Sequence, residues 1–181
     1  IYSAIANGGT LWQPLVAKAI VKTDGTIVKT FTPKVDGKVE ADPKTFAWLR
    51  DALHQVTISG TAAGAFAGFP VHVSGKTGTG EVFGLNSNGT KKNSTSWFAS
   101  FAPTENPQFA VVVMVSQGGT GAAAAGVGAR QIYNTIFGVA GNKQVPEKVI
   151  KIATSIPKIS ASTKVIEAKP TPSVSSKATK P

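Results

Sequence analysis

The chain has 181 residues, enough for one domain with its own core, and 41% of them are apolar, as in ordinary globular proteins. It contains no cysteine, which excludes a disulfide framework, a thiolate metal site and a cysteine nucleophile. The two histidines, His54 and His72, lie far apart in sequence and argue against a histidine-based zinc site. We therefore expect no metal and no cofactor.

The formal net charge of +10 is unevenly distributed. Residues 142–181 carry eight lysines against Glu147 and Glu167 and contain no aromatic residue, which argues against nucleic-acid binding. No apolar run approaches the roughly 20 residues needed to span a bilayer, and no signal peptide is visible. Because the chain starts without methionine and inside a predicted helix, we expect it to be part of a longer protein.

The first forty residues are predicted to form a helix followed by a hairpin. Asn7-Gly8-Gly9 ends the helix, since asparagine and glycine tolerate the left-handed cap conformation. Asp24-Gly25 is a strong hairpin signal. The expected elements are a helix over 1–6, strands over 11–23 and 26–31, and a loop over 33–40.

A second helix is predicted from Asp42 to Gly60. Asp42 is a suitable N-cap and is followed by proline, which is favoured at the first helical position. Apolar residues then recur at helical spacing. They are Phe46, Leu49, Leu53 and Val56.

The sequence from residue 71 to residue 138 is predicted to form a sheet and a final helix. Alternation over 71–74 indicates the start of a strand, and 94–102 alternates with aromatic residues. The nearly continuous valines of 108–116 are typical of a central strand buried on both faces. A polar loop is expected over 83–93 and a helix over 120–138.

The stretch Gly75-Lys76-Thr77-Gly78-Thr79-Gly80 is the strongest candidate for a functional site. Glycines in a strand allow another backbone or a ligand to approach closely. The lysine ammonium supplies charge, and the threonine hydroxyls and backbone N–H groups supply directed donors. This combination suits the binding of a carboxylate or a phosphate.

Three other interpretations compete with that one. A P-loop requires glycine at the position of Pro70 and a helix opening at Lys76-Thr77, which the following glycines disfavour. A dinucleotide motif over 119–124 lacks the acidic residue expected about twenty positions later, and small residues that let a helix pack on a sheet explain it better. The third is a glycine-rich edge strand with a solvated lysine.

Several further segments appear in the same order as in a known family. They are Ile5-Ala6-Asn7-Gly8-Gly9, Gly60-Thr61-Ala62, Gly75-Lys76-Thr77-Gly78-Thr79, Trp97-Phe98-Ala99-Ser100-Phe101-Ala102-Pro103, a valine-rich strand and an alanine-rich final helix. Over residues 1–138 the chain resembles the C-terminal part of a class B penicillin-binding protein transpeptidase domain, in the serine β-lactamase and penicillin-binding superfamily. The resemblance implies an α/β domain of the α+β type, with helices packed on a mainly antiparallel sheet. We assign 1–141 to that domain and 142–181 to a lysine-, proline- and serine-rich low-complexity tail, expected to be disordered.

The resemblance implies acyl transfer through a serine nucleophile. The family takes that serine from a Ser-x-x-Lys motif, and a Ser-x-Asn motif lies across the cleft; both precede Lys-Thr-Gly. This chain has no Ser-x-Asn, and its single Ser-x-x-Lys, Ser155 to Lys158, contains the helix-breaking Pro157. We therefore expect the chain to supply one wall of an active site without the nucleophile, and to be inactive alone.

The resemblance also implies roles for the matching residues. Lys76 is the expected catalytic residue and places positive charge beside the substrate carboxylate. The hydroxyls of Thr77 and Thr79 bind that carboxylate, Gly78 keeps the strand edge clear, and the N–H of Thr79 is one oxyanion donor. Gly80 stands where the family commonly has alanine, which suggests more local freedom.

The implied ligands are peptidoglycan stem peptides and β-lactams, and the implied location is the extracytoplasmic face of a bacterial membrane, with the anchor outside this chain. The missing N-terminal part of the same protein is the expected partner, so the isolated chain should be poorly soluble. The tail is either a solvated spacer or a polycation that touches anionic wall polymers or lipid head groups. The alternative function is that of a non-catalytic binding module with the same fold.

Overall fold

The computed structural model describes residues 1–145 and 149–151, so most of the predicted tail lies outside the described residues. The chain divides into two compact units. The larger contains residues 1–14 and the described residues from 33 onward, whereas residues 15–32 belong to the smaller. Among the described residues, no helix is long and apolar enough to cross a membrane.

Four α-helices and nine strands make up the described chain. The helices are α1 (Tyr2–Asn7), α2 (Pro43–Ile58), α3 (Ala63–Phe66) and α4 (Val127–Ile136), the last preceded by a π-helical turn (Ala122–Gly126). The strands are β1 (Thr10–Trp12), β2 (Ala19–Val21), β3 (Ile27–Thr30), β4 (Val35–Lys38), β5 (Ser74–Gly80), β6 (Thr95–Ala102), β7 (Phe109–Val115), β8 (Val139–Ala140) and β9 (Lys143–Gln144).

Two predicted helix termini are confirmed, the end of α1 and the start of α2. Gly8 follows α1 in the left-handed conformation with φ 80°, as the Asn-Gly-Gly sequence predicts. The Asp42 carboxylate accepts a 2.7 Å hydrogen bond from the Lys44 N–H and caps α2. The final helix is present as well, but its first turn is π-helical.

Two predictions for the first forty residues are wrong. The stretch predicted as one strand over 11–23 contains two separate strands, β1 and β2, with Pro14 between them. The stretch predicted as a loop over 33–40 contains β4, which pairs antiparallel with β1. The sequence of β4, Val-Asp-Gly-Lys, is too polar to be recognised as a strand from its own composition. Its partner β1 lies more than twenty positions away. The hairpin at Asp24-Gly25 is confirmed by the pairing of β2 with β3.

The main sheet has the antiparallel order β5-β6-β7. The prediction that residues 108–116 form a central strand buried on both faces is wrong, because β6 is central and β7 is an outer strand of the described sheet. Along β7, Val111 is buried, whereas Val112 and Met114 are 59% and 53% exposed. The strand entered at Val71 begins only at Ser74, so all four predicted site residues lie within β5.

One face of this sheet carries the core. Phe98 of β6 is fully buried and packs against Phe66 of α3, with ring centroids 5.4 Å apart. Tyr133 of α4 is also fully buried and lies 3.0 Å from the Ser100 hydroxyl; burial raises the pKa of the Tyr133 phenol. Packing of α3 and α4 on this face, called the covered face below, fixes β6 in the middle of the sheet. Because β5 pairs with β6, the position of the motif strand is fixed as well.

Candidate active-site strand

β5 carries the motif on an outer strand of the described sheet. It pairs with β6 in the register Lys76↔Ala99, Thr77↔Phe98 and Gly78↔Trp97. Paired residues of an antiparallel ladder share a face, so Thr77 and Thr79 lie on the covered face and Lys76 lies on the opposite one. Lys76 and Thr79 are exposed, and Thr77 and Gly78 are partly buried.

The start of β5 is anchored by side chains of α2. The Val73 carbonyl accepts hydrogen bonds from the Thr57 hydroxyl at 2.7 Å and from the His54 Nδ1 at 3.1 Å. The buried Ser74 hydroxyl donates to the Arg50 carbonyl at 2.8 Å and lies 2.9 Å from the Thr104 hydroxyl. These bonds fix where the motif begins.

Packing on β6 requires a glycine at position 75 and favours one at position 78. A Cβ on Gly75 would lie 2.7 Å from Cζ of Phe98, and one on Gly78 would lie 3.2 Å from Cβ of Trp97. The first contact is too short for any side chain, and the second is tighter than most Cβ contacts. Close packing on β6 is therefore a reason for these glycines that does not depend on a ligand.

The Lys76 ammonium lies beside the next residue of the strand. Its Nζ donates to the Thr77 carbonyl at 3.1 Å and lies 3.5 Å from the Thr77 hydroxyl. That hydroxyl is also 2.7 Å from the hydroxyl of Thr61, in the turn between α2 and α3. One ammonium and two hydroxyls thus meet at the middle of β5.

The second threonine of the motif has a different partner. The Thr79 hydroxyl accepts a 3.2 Å hydrogen bond from the Gly121 N–H, at the start of the π-helical turn. A Cβ on Gly121 would lie 2.5 Å from the Gly78 carbonyl oxygen, so only glycine fits there. The small residues of 119–124 serve tight packing on the motif strand.

This geometry limits the chemistry of the site. No helix opens at Lys76, so the P-loop interpretation fails on the structure. Within residues 1–145 and 149–151, no group of three or more His, Asp or Glu side chains is placed to hold a metal ion. What remains is an exposed cation with neighbouring hydroxyl donors, an arrangement that suits a carboxylate.

The sequence did not reveal the two groups that bond the motif hydroxyls. Thr61 lies sixteen positions before Thr77, and Gly121 lies 42 positions after Thr79. Thr61 does fall in the Gly60-Thr61-Ala62 segment, but its role as a partner depends on the turn between two helices. Gly121 belongs to the segment interpreted as packing.

A sequence model described as the penicillin binding protein transpeptidase domain matches residues 1–138. The chain belongs to the penicillin-binding protein transpeptidase family. It is 33% identical over 132 residues to the peptidoglycan D,D-transpeptidase PbpA of Mycolicibacterium smegmatis, covering 70% of this chain and 24% of that protein. It is 30% identical over 155 residues to the peptidoglycan D,D-transpeptidase MrdA of Haemophilus influenzae, covering 79% and 23%.

Solved structures of this family share the fold. The imipenem acyl-enzyme complex of penicillin-binding protein A from M. tuberculosis superposes with a TM-score of 0.59 at 26% identity, covering 73% of this chain and 28% of that one. PBP2 from Pseudomonas aeruginosa gives 0.63 at 27% identity, covering 81% and 31%. These matches confirm the predicted mixture of helices with an antiparallel sheet. The chain spans about a quarter of the length of the curated relatives named above.

Proposed function

We propose that this transpeptidase-family chain supplies the carboxylate-binding wall of a peptidoglycan D,D-transpeptidase active site. The observation that carries the proposal is the placement of the Lys76 ammonium beside the Thr77 hydroxyl on an outer strand. Relatives with this domain are named peptidoglycan D,D-transpeptidases, and two structures of M. tuberculosis penicillin-binding protein A are imipenem and penicillin G acyl-enzyme complexes.

The proposed reaction is acyl transfer through a serine. The serine oxygen attacks the carbonyl carbon of the D-Ala-D-Ala peptide bond, the C–N bond breaks, and D-Ala leaves with a proton. An amine of a second stem peptide then attacks the acyl-enzyme and releases the serine. The nucleophile and its base come from a part of the protein upstream of residue 1, since no serine of 1–145 stands in a Ser-x-x-Lys motif.

In this scheme, Lys76 supplies positive potential to the terminal carboxylate of the stem peptide or of a β-lactam. Thr77 and Thr79 donate their hydroxyl protons to the same carboxylate. The Thr79 N–H is one oxyanion donor, and Gly78 leaves room for the substrate backbone. The domain would extend over 1–141, act on the extracytoplasmic side of the membrane, and be followed by the tail 142–181.

The upstream part has a natural place on the exposed part of the sheet face that carries Lys76; the other part of that face, at Ser74 and Phe101, is already buried. Trp97, Val112 and Met114 lie on the same face as Lys76 by register and are all substantially exposed. An exposed apolar patch of this kind favours a protein partner. If the upstream part of the same domain covers it, that part reaches β5 on the side from which the Lys76 side chain leaves the strand, close to where a nucleophile is needed.

Substitution at Met114 tests this arrangement. Met114→Ala should destabilise the full-length protein by about 2 kcal/mol or more, because it leaves a cavity if the face is covered. In the 181-residue chain alone the same change should cost less than about 0.5 kcal/mol, as at other exposed positions. Urea unfolding of both forms makes the comparison. Equal small effects in both forms would argue that the face stays uncovered.

The activity itself is tested by covalent labelling. The full-length protein, expressed from its natural reading frame, is incubated with benzylpenicillin and its intact mass is measured. We expect one adduct, mapping by peptide digestion to a serine upstream of Ile1. Absence of an adduct from a protein shown to be folded would instead favour a non-catalytic binding module.

A further inference from the structure

Thr61 stands next to the motif strand, although it lies outside the motif. Its hydroxyl oxygen is 2.7 Å from that of Thr77, the shortest separation among the hydrogen bonds made by Lys76, Thr77 and Thr79 side chains. Thr61 is exposed, Thr77 is only partly buried, and the bond between their hydroxyls is at an exposed position. Water could therefore satisfy either of them, and the bond is not needed to compensate for burial. The bond between Thr61 and Thr77 therefore suits a role in ligand binding.

The turn that carries Thr61 is held firmly on both sides. A Cβ on Gly60 would lie 2.8 Å from Cα of Val56, so Gly60 sits directly against the last turns of α2. Ala62 is fully buried and its N–H donates to the Val56 carbonyl at 3.0 Å. Thr61 lies between these two fixed residues, so its hydroxyl has a defined position beside β5.

The number of hydroxyl protons and lone pairs in this cluster determines what the Thr61 hydroxyl can do. A threonine hydroxyl has one proton and two lone pairs, and a lysine ammonium has donors only. When Lys76 and Thr61 both donate to the Thr77 oxygen, its lone pairs are occupied and its proton is free for a third group. The Thr79 oxygen already accepts from the Gly121 N–H, which frees its proton in the same way.

We propose that Thr61 is a positioning residue for carboxylate recognition: its hydroxyl, 2.7 Å from Thr77 Oγ1, directs the Thr77 proton toward the carboxylate of the substrate or of a β-lactam. The inference rests on the proposed function of β5. Thr61 then affects ligands that carry a carboxylate and has little effect on ligands that lack one. A purely structural role would affect both kinds of ligand alike.

Acylation rates of the full-length protein with two probes test the inference. The probes are benzylpenicillin, which carries the carboxylate, and its methyl ester, which does not; intact mass gives the rate constant for each. Thr61→Val removes the hydroxyl at nearly constant shape and should lower the benzylpenicillin rate about tenfold, the effect of about one hydrogen bond to a charged group. The methyl ester rate should remain near that of the unchanged protein.

Two further variants serve as controls. Thr61→Ser keeps a hydroxyl at the same place and should restore most of the benzylpenicillin rate. Thr135→Val makes the same change at an exposed threonine of α4 whose hydroxyl donates to the Gln131 carbonyl, and it should leave both rates unchanged. Melting temperatures are compared for all variants.

The outcomes separate the two proposals. If the unchanged protein reacts with neither probe, the proposed function fails and the inference fails with it. If it reacts, but Thr61→Val lowers both rates equally or lowers neither, the proposed function stands and the positioning role is overturned. A loss confined to benzylpenicillin and rescued by serine supports the inference.

Discussion

The two ends of β5 differ in how their polar groups are used. At the start, Val73 and Ser74 are buried, and their polar groups are bonded to side chains and carbonyls of α2 and the turn after β6. Further along the strand, Lys76 and Thr79 are exposed, and the Thr79 hydroxyl accepts a hydrogen bond from the Gly121 N–H. We call Val73-Ser74 the fixed segment and Lys76 to Thr79 the available segment, because only the second is accessible to a ligand. The hydrogen bonds of the fixed segment set the position of the available segment.

The largest expected effect falls on the available segment. Lys76→Met removes the ammonium but keeps a long apolar stem, and we expect the acylation rate with benzylpenicillin to fall about 10-fold to 100-fold. The reason is the loss of a charged donor to the carboxylate. The free energy of unfolding should change by less than about 0.5 kcal/mol, because the side chain is exposed.

Lys44→Met is the matched control for that experiment. Lys44 is an exposed lysine in the first turn of α2, away from the motif, and its loss should change neither acylation nor stability. If Lys76→Met lowered stability by several kcal/mol, the distinction between the two ends of β5 would be lost. Intact mass and urea unfolding on the same preparations give both quantities.

The fixed segment should show the opposite behaviour. Ser74→Ala leaves the Arg50 carbonyl and the Thr104 hydroxyl without their buried partner, and should lower the free energy of unfolding by about 1–3 kcal/mol. The acylation rate of the folded fraction should stay close to that of the unchanged protein. Ser87→Ala, at an exposed serine in the loop after β5, should alter neither value.

A large loss of acylation in folded Ser74→Ala protein would show that the anchor also controls the geometry of the motif. In that case the fixed and available segments are coupled through the strand backbone. Measuring the rate at a temperature well below the transition of the variant separates this result from simple unfolding.

The local pattern of the chain was sufficient for the features that depend on neighbouring residues. It predicted the Asp42 cap, the left-handed end of α1, the hairpin at Asp24-Gly25 and the order of β5, β6 and α4 along the chain. The motif itself was recognisable because a lysine, two threonines and three glycines are adjacent in sequence.

Features that depend on distant partners were not predictable in the same way. β4 becomes a strand because β1 pairs with it, and Thr61 reaches Thr77 because the turn after α2 packs on β5. The valines of β7 indicated burial on both faces, but periodicity cannot say which strand lies in the middle of a sheet. The roles assigned to Lys76 and the motif threonines remain predictions.

The smallest expected effect concerns pH and the fixed end of β5. The Thr104 N–H donates to the His72 carbonyl at 2.9 Å, and the side chains of His72 and Glu105 form a hydrogen bond. That bond, with the backbone N–H of Glu105 as a second cause, lowers the pKa of the Glu105 carboxyl below its ordinary value. Electrostatic interaction with His72, and then with His54, acts in the same direction on the pKa of Glu105.

A carboxyl whose pKa is lowered by folding stabilises the protein above its unfolded pKa, and this contribution disappears as pH falls through the folded pKa. The free energy of unfolding should therefore decrease below about pH 4.5, and Glu105→Gln should remove part of that decrease. The difference should be less than about 1 kcal/mol and should shrink in salt, because both side chains are more than half exposed. Urea unfolding at several pH values, in low and high salt, measures it. A pH dependence unchanged by Glu105→Gln would mean that the pair contributes nothing to anchoring this end of β5.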